Sequence, residues 1–170
     1  LLIAGQSGIG KSSLLRAFAG LWSDGQGTVG LCSRSAVFFM PQKPYMFLGS
    51  LREQLLYPQV SGSSISDEEL EQALGQVNLA YLLKQYDLDD CRDWSGMLSL
   101  GEQQRINFAR VLLLRGLRLA LIDEGTSACD PANEAALYDI LRQRLHSYVS
   151  VGHRPALQEY HTHVLWLQRP

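Results

Sequence analysis

A chain of 170 residues with 46% hydrophobic and 19% charged residues has the composition of an ordinary globular protein and excludes the disordered and fibrous classes. Its formal net charge of −2 and its lack of any Lys/Arg block exclude the electrostatic footprint of a nucleic-acid binder. No apolar run of about 18 residues occurs, so this stretch holds no membrane-spanning helix. The three cysteines, Cys32, Cys91 and Cys129, lack C-x-x-C spacing and read as free thiols of a reducing compartment.

The opening LLIAG reads as a buried strand over Leu1–Ala4. It begins abruptly, without methionine or signal peptide, so an N-terminal portion preceding it is expected. A helix follows over Lys11–Leu21 with Leu14, Leu15, Phe18 and Leu21 inward, then turns over Ser23–Gly30. Ala36–Met40 (AVFFM) has the continuous apolar character of a central parallel strand. Between Leu51 and Met97 the pattern becomes amphipathic helix and polar loop. Ser66 and Glu69 form a capping-box signature ahead of Leu70, Ala73, Leu74 and Val77, and Gly75 marks a weak point or break. Ser99 and Glu102 repeat that signature before a helix whose Ile106, Ala109, Val111 and Leu113 supply a buried face. Leu119–Ile122 is an apolar strand ending in Asp123-Glu124, and Pro131–His146 a helix with proline in its first turn. Tyr148–Val151 and His163–Leu167 close the series as strands. Strands separated by helices imply an α/β fold with a mostly parallel sheet flanked by helices. The expected organisation is a core of residues 1–50 and 98–170, its N-terminal strands missing, with a helical subdomain of residues 51–97 inserted.

The strongest chemical motif is GQSGIGKSS, Gly5, Gln6, Ser7, Gly8, Ile9, Gly10, Lys11, Ser12 and Ser13. It fits G-x-x-x-x-G-K-S/T, the P-loop pattern, and stands between a strand and a helix as that motif must. Glycines let several amides face one anion, and the helix N-terminus adds partial positive charge. Lys11 suits the β- and γ-phosphates and the Ser12 hydroxyl suits Mg²⁺. A solvated lysine in a Gly-rich turn is the alternative, and the strand–loop–helix context outweighs it. At the end of the LALI strand, Asp123 can hold Mg²⁺ through water and Glu124 can act as base toward an attacking water. Parallel pairing would bring these groups to the same crevice as the glycine loop.

Five ordered motifs carry a resemblance that covers nearly the whole chain. GQSGIGKSS resembles Walker A, MPQKPY the Q-loop with Gln42, LSLGEQQR the family signature, LALIDEGTSACD Walker B with the D-loop, and SVGHR the switch-histidine segment. Together they are similar to the nucleotide-binding domain of ATP-binding-cassette (ABC) transporters, a P-loop NTPase with a helical subdomain before the signature. The resemblance implies ATP and Mg²⁺ as ligands and a head-to-tail pair of such domains, homo- or heterodimeric. Each ATP then lies between Walker A of one copy and Ser99, Leu100, Gly101 and Glu102 of the other. It implies that Gln42 touches Mg²⁺ or water, that His153 contacts the γ-phosphate and holds Glu124 in line, and that Asp130 crosses the dimer seam. His146, His161 and His163 have no such setting and read as surface or packing residues.

The sequence departs from the family pattern at Leu100 (usually glycine), Gly125 (usually alanine) and Cys129 (usually leucine), and it starts too late to include the aromatic adenine platform that the family carries ahead of Walker A. FLGSLREQLLYP, LSLGEQQR and SVGHRPAL look most like the peroxisomal fatty-acyl half-transporters and their bacterial relatives. That likeness implies a transmembrane domain earlier in the same polypeptide, with this domain on the cytoplasmic side and a groove near Gln42, Tyr45 and Phe47 coupling it to membrane helices. The alternative is a soluble cassette ATPase of DNA repair or translation. The Gln42–Ser99 interval has no room for the long coiled coils of the repair type, and no basic linker marks the ribosome-associated type. A GTPase is discounted because Asn78, Asn107 and Asn133 are followed by Leu, Phe and Glu, so no N-K-x-D guanine motif occurs.

Overall fold

The computed structural model describes every residue except 23, 32, 60–63 and 170. In chain order its elements are β1 (Leu2–Gly5), α1 (Lys11–Phe18), β2 (Val37–Met40), β3 (Leu48–Ser50), α2 (Leu51–Leu56), α3 (Asp67–Gln76), β4 (Cys91–Asp93), α4 (Trp94–Met97), α5 (Leu100–Leu113), β5 (Leu119–Asp123), α6 (Pro131–Arg144), β6 (Ser147–Val151) and β7 (Val164–Leu167). They fall into two compact units. The first comprises 1–42, 116–125 and 141–170, the second 43–115 and 126–140.

The first unit is built on a five-stranded sheet in the order β2-β5-β6-β1-β7, in which every adjacent pair is parallel. β5 is buried at all its positions, as its apolar run Leu119–Ile122 requires of a central strand. Ile3, Leu15, Leu119, Leu121 and Val151 form the core, with Leu14, Phe18 and Phe39 packed against it. Each such buried side chain contributes about 1.5–3 kcal/mol. Leu21 does not join them. α1 ends at Phe18, Gly20 turns the chain at φ 71°, the Leu21 amide bonds back to Arg16, and Leu21 is left exposed. This is a glycine helix stop, which the apolar periodicity overrode in the sequence reading.

The second unit takes in the whole of the 51–97 segment together with α5 and α6 through Ile140, because α2 and α3 both pack on α5. The capping boxes at Ser66/Glu69 and Ser99/Glu102 are both formed, and a third, Ser50/Glu53, opens α2. Gly75 does not break α3, which runs on to Gln76. The glycine costs about 1 kcal/mol relative to alanine, less than the burial of Leu70, Ala73 and Leu74 returns. A short antiparallel ribbon, β3 with β4, joins positions more than forty residues apart in sequence, a pairing that no local pattern announced. Trp94 follows it, fully buried, its Nε1 donating to the Gly49 carbonyl at 2.9 Å and its ring meeting Tyr86 edge-on.

α5 is buried on almost every side from Ile106 to Val111, Ile106, Ala109, Val111 and Leu113 included. Its interior also holds Arg110. That guanidinium donates to the carbonyls of Gln54 (2.8 Å) and Tyr45 (3.0 Å) and to Asn107 Oδ1 (2.8 Å), and lies over the Tyr57 ring. Burial pushes it down to about 10, so it stays charged at neutral pH while carbonyls and a π face do the solvating. Cys91 is exposed and Cys129 buried, both free thiols; Cys32 lies outside the described residues. Replacing Trp94 with alanine removes the ring and the Gly49 bond together. Urea unfolding of this variant is expected to show a loss of about 3–5 kcal/mol.

Candidate functional site

In the first unit, the loop between β1 and α1 curls because three of its glycines take positive φ: Gly5 at 145°, Gly8 at 73° and Gly10 at 101°. Gly5 is constrained twice, since a Cβ there would stand 2.6 Å from the Leu167 carbonyl oxygen of β7. Gly10 occupies the N-cap of α1 with no side chain capping it, so the first-turn amides are available to an anion. Gln6, Ser7 and Gly8 are exposed, whereas Lys11 is buried. Its ammonium donates to the carbonyls of Gly5 and Gln6, both at 2.9 Å. The lysine therefore closes the loop from within and carries its charge at the loop's centre.

The sheet register delivers the other groups. β5 ends at Asp123 opposite Val151 of β6, and the Glu124 amide donates to the Val151 carbonyl at 3.0 Å. Asp123, nearly fully buried, accepts from Ser12 Oγ at 2.6 Å and lies 3.9 Å from the half-exposed Arg16 guanidinium. Glu124 adopts φ 50°, a left-handed conformation that non-glycine residues take only where surrounding structure imposes it. Its two carboxylate oxygens face different donors: Gln42 Nε2 at 2.7 Å and His153 Nε2 at 2.8 Å. Gln42, Glu124 and His153 thus form one hydrogen-bonded line beside the Ser12–Asp123 pair.

The described residues contain no group of three or more His, Cys, Asp or Glu side chains suited to a metal ion, and so form no all-protein cage among themselves. The Ser12–Asp123 pair is a set of hard oxygen donors with one carboxylate. That partial shell suits Mg²⁺, which keeps waters and takes its remaining ligands from substrate phosphates.

The second unit holds the other sequence-identified positions. Ser99 caps α5: its Oγ accepts from the Glu102 amide (3.3 Å) and donates to Glu102 Oε2 (2.6 Å), which also accepts the Ser99 amide at 2.7 Å. Burial opposes the charge on Glu102, but hydrogen bonds from Ser99 and Tyr81 keep its carboxyl below the usual range. Tyr81, from the turn after α3, donates to Glu102 Oε1. Leu100 is exposed. Gly101 cannot be larger, since a Cβ would come 2.7 Å from the Ala128 carbonyl oxygen. Asp130 caps α6, and backbone and side-chain bonds from Asn133 hold its carboxyl below the usual range. His161 is a packing residue, edge-on to Tyr148 with Nδ1 at the Leu157 carbonyl, and burial keeps it below the usual histidine range.

Sequence reading missed Gln104, buried without exposure, and the pair Thr126–Glu134, hydrogen bonded at 2.6 Å inside the second unit. Gln104 sits in the polar opening Gly101-Glu102-Gln103-Gln104-Arg105 of α5, where nothing local set it apart as a buried residue. For Thr126 and Glu134 no local pattern existed.

Comparison with known proteins supplies the context. A family model described as ABC transporter matches residues 1–127. An uncharacterized ABC transporter ATP-binding protein of Synechocystis sp. is 51% identical over 99% of this chain and 25% of its own length. The chloroplastic ABC transporter D family member 2 of Arabidopsis thaliana is 40% identical over 97% of this chain and 30% of its own. The human lysosomal cobalamin transporter ABCD4 is 40% identical over 98% and 29% respectively. This chain therefore spans about a quarter to a third of the length of these relatives. The ATP-bound structure of a bacterial Atm1-family ABC exporter superposes with a TM-score of 0.78, at 23% identity, over 98% of this chain and 31% of that one; the likeness is one of fold.

Two substitutions separate the parts of the glycine loop. Gly5→Ala forces the clash with Leu167 and is expected to lower both thermal stability and ATP affinity. Lys11→Met is expected to lower ATP affinity at least about tenfold with far less effect on unfolding, as read by nucleotide titration and melting of the same samples.

Proposed function

This chain belongs to the ABC transporter family, as its ATP-binding domain, and we propose that it is the Mg-ATP-hydrolysing motor of a membrane half-transporter, working as a head-to-tail dimer. The observation that carries the reading is the placement of Glu124, one oxygen on Gln42 Nε2 and the other on His153 Nε2, next to the Ser12–Asp123 pair. A carboxylate at the end of a central strand, oriented from both sides and only partly exposed, is placed as a general base should be.

In this reading the amides of Gly8–Ser13 and the Lys11 ammonium hold the β- and γ-phosphates, replacing the loop's own carbonyls as the lysine's partners. Ser12, Asp123 and Gln42 are the residues that would hold Mg²⁺, which when bound supplies charge neutralisation on the phosphate oxygens. Glu124 accepts a proton from the attacking water, and His153 keeps the carboxylate and that water aligned with the γ-phosphorus. Phosphoryl transfer needs little covalent help from the protein, so positioning and electrostatics carry the rate. Ser99, with the amides around Gly101, offers a helix N-terminus to the nucleotide bound by the other copy, Leu100 and Glu102 flank that turn, and Asp130 lies at the seam.

The membrane assignment rests on kinship. The relatives are named as transporters or transporter ATP-binding proteins, D-family members among them, and none of these names points to DNA repair or translation. No helix of the described residues is long and apolar enough to cross a membrane, so the transmembrane domain would be supplied elsewhere, in the same polypeptide, with this domain on the cytoplasmic side. A candidate coupling surface lies in the second unit. There the rings of Tyr45, Phe47 and Tyr57 pack together, Tyr45 and Leu48 are exposed, and Arg110 anchors the Tyr45 carbonyl from below.

ATPase assays on the full-length protein with and without Glu124→Gln test the proposal. Turnover should fall at least about 100-fold while ATP affinity is retained. Undiminished turnover would remove Glu124 from its role.

A further inference from the structure

The segment after β5 is held from two sides within the second unit. On one side Thr126 Oγ1 donates to the buried Glu134 carboxylate of α6 at 2.6 Å, and the Glu134 amide returns to the Asp130 carbonyl at 2.9 Å. On the other side stands Gln104 of α5, with no exposed surface. Both ends of its amide reach this one segment: Nε2 donates to Ser127 Oγ at 3.1 Å, and Oε1 accepts from the Ala128 amide at 2.9 Å. The Cys129 thiol lies 3.9 Å from the same Oε1 and 3.8 Å from the Gly101 carbonyl. Ala128 in turn approaches Gly101 so closely that no side chain fits between them.

These contacts fasten three successive residues, Ser127 to Cys129, to Gly101 and Gln104 in the first two turns of α5. A buried glutamine that only filled space would be matched by an apolar residue of the same volume. Here the amide instead matches one hydroxyl acceptor and one backbone donor in a fixed order, which sets both the position and the rotation of the segment. Ser127, Ala128 and Asp130 remain exposed above this anchor while Thr126 and Cys129 are buried beneath it. The segment is therefore a stiff ridge presented outward.

We infer that Gln104 is a positioning residue that makes the N-terminus of α5 and the Ser127–Cys129 ridge one mechanical piece. The inference rests on the composite-site reading proposed above. Ser99 serves the nucleotide bound by the other copy, while the ridge follows this chain's own Asp123 and Glu124 along the backbone. A single glutamine then couples what this chain does for the other copy's ATP to the placement of the segment leaving its own catalytic strand. Small displacements at either end are transmitted because packed, hydrogen-bonded elements shift as units.

The test uses the full-length protein with Gln104→Met and Ser127→Ala, and Ser99→Ala as reference. Turnover is measured per nucleotide-binding site, sites being counted by ATP titration of each variant. Gln104→Met is expected to lower kcat about tenfold, with KM for ATP and ATP affinity within about twofold of the parent. Ser127→Ala is expected to show the same split at about a third of the parent rate. A merely structural role would lower the melting temperature and the number of active sites yet leave turnover per site at the parent value, and that result overturns the inference. Should Gln104→Met fail to fold, Ser127→Ala decides alone, and an unchanged kcat overturns it. Ser99→Ala separates the two layers: full turnover there sinks the composite site itself, whereas a loss there beside unaffected Gln104→Met and Ser127→Ala sinks only the coupling.

Discussion

The parallel pairing of β5 between β2 and β6 is the constraint from which the site follows. Met40 pairs with Ile122 and Asp123 with Val151, and β1 lies on the far side of β6 with Ile3 at the level of Val151. All these strands point the same way, so their C-terminal ends emerge at one edge. That edge collects Gly5, Gln42, Asp123 and Glu124, with His153 two residues beyond Val151. A slip of one residue in β5 would turn Asp123 to the opposite face of the sheet and part it from Ser12. The buried apolar run Leu119–Ile122 of β5 makes such a slip costly, so the geometry of the candidate site is secured by hydrophobic packing beside the polar atoms.

Two strategies for polar burial divide the molecule. In the first unit the buried charged groups, Lys11 and Asp123, stand in the candidate phosphate site, and near neighbours satisfy each: carbonyls for the ammonium, a hydroxyl for the carboxylate. In the second unit the buried polar groups are fasteners. Arg110 holds Tyr45 and Gln54, Gln54 holds Phe47, and Gln104 holds Ser127 and Ala128. Each supplies, from a side chain rooted in a helix, a hydrogen-bond partner to backbone that is distant in sequence. An unmatched member would leave a buried donor or acceptor without its partner, at a cost of about 1–3 kcal/mol. The loops so held are those for which the proposed function requires defined surfaces.

Local signals were legible wherever the physics is local. The glycine loop was identified because its conformation depends on residues within a few positions of one another, and the observed positive φ angles are those its glycines permit. The capping boxes at Ser66 and Ser99 were legible for the same reason, since an N-cap and its N3 partner are three residues apart. The third, at Ser50 and Glu53, was equally local but was masked by the change of pattern at Leu51. Leu21 was misread because apolar periodicity and glycine content argue in opposite directions near helix ends: Gly20 stopped α1, whereas α3 ends at Gln76, one residue past Gly75. The β3–β4 ribbon and the interior placement of Arg110 and Gln104 depend on segments far apart in sequence, and no window of residues contains them.

The amino-acid sequence by itself determined the elements that close on their own hydrogen bonds and the chemical inventory of the candidate phosphate site: Lys11 and Ser12 at the start of a helix, Asp123 and Glu124 at the end of an apolar run. Ordered motifs also sufficed to place the chain in its family. Only the tertiary structure decided which oxygen of Glu124 meets Gln42 and which meets His153, that Gly101 is small because Ala128 presses on it, and that Gln104 faces inward to grip the segment after β5. The reason is one of range. Backbone conformation and capping are set by neighbours within a turn or two, whereas the direction a long polar side chain takes inside a protein is set by whichever distant carbonyl, amide or hydroxyl the packing brings within about 3 Å of it.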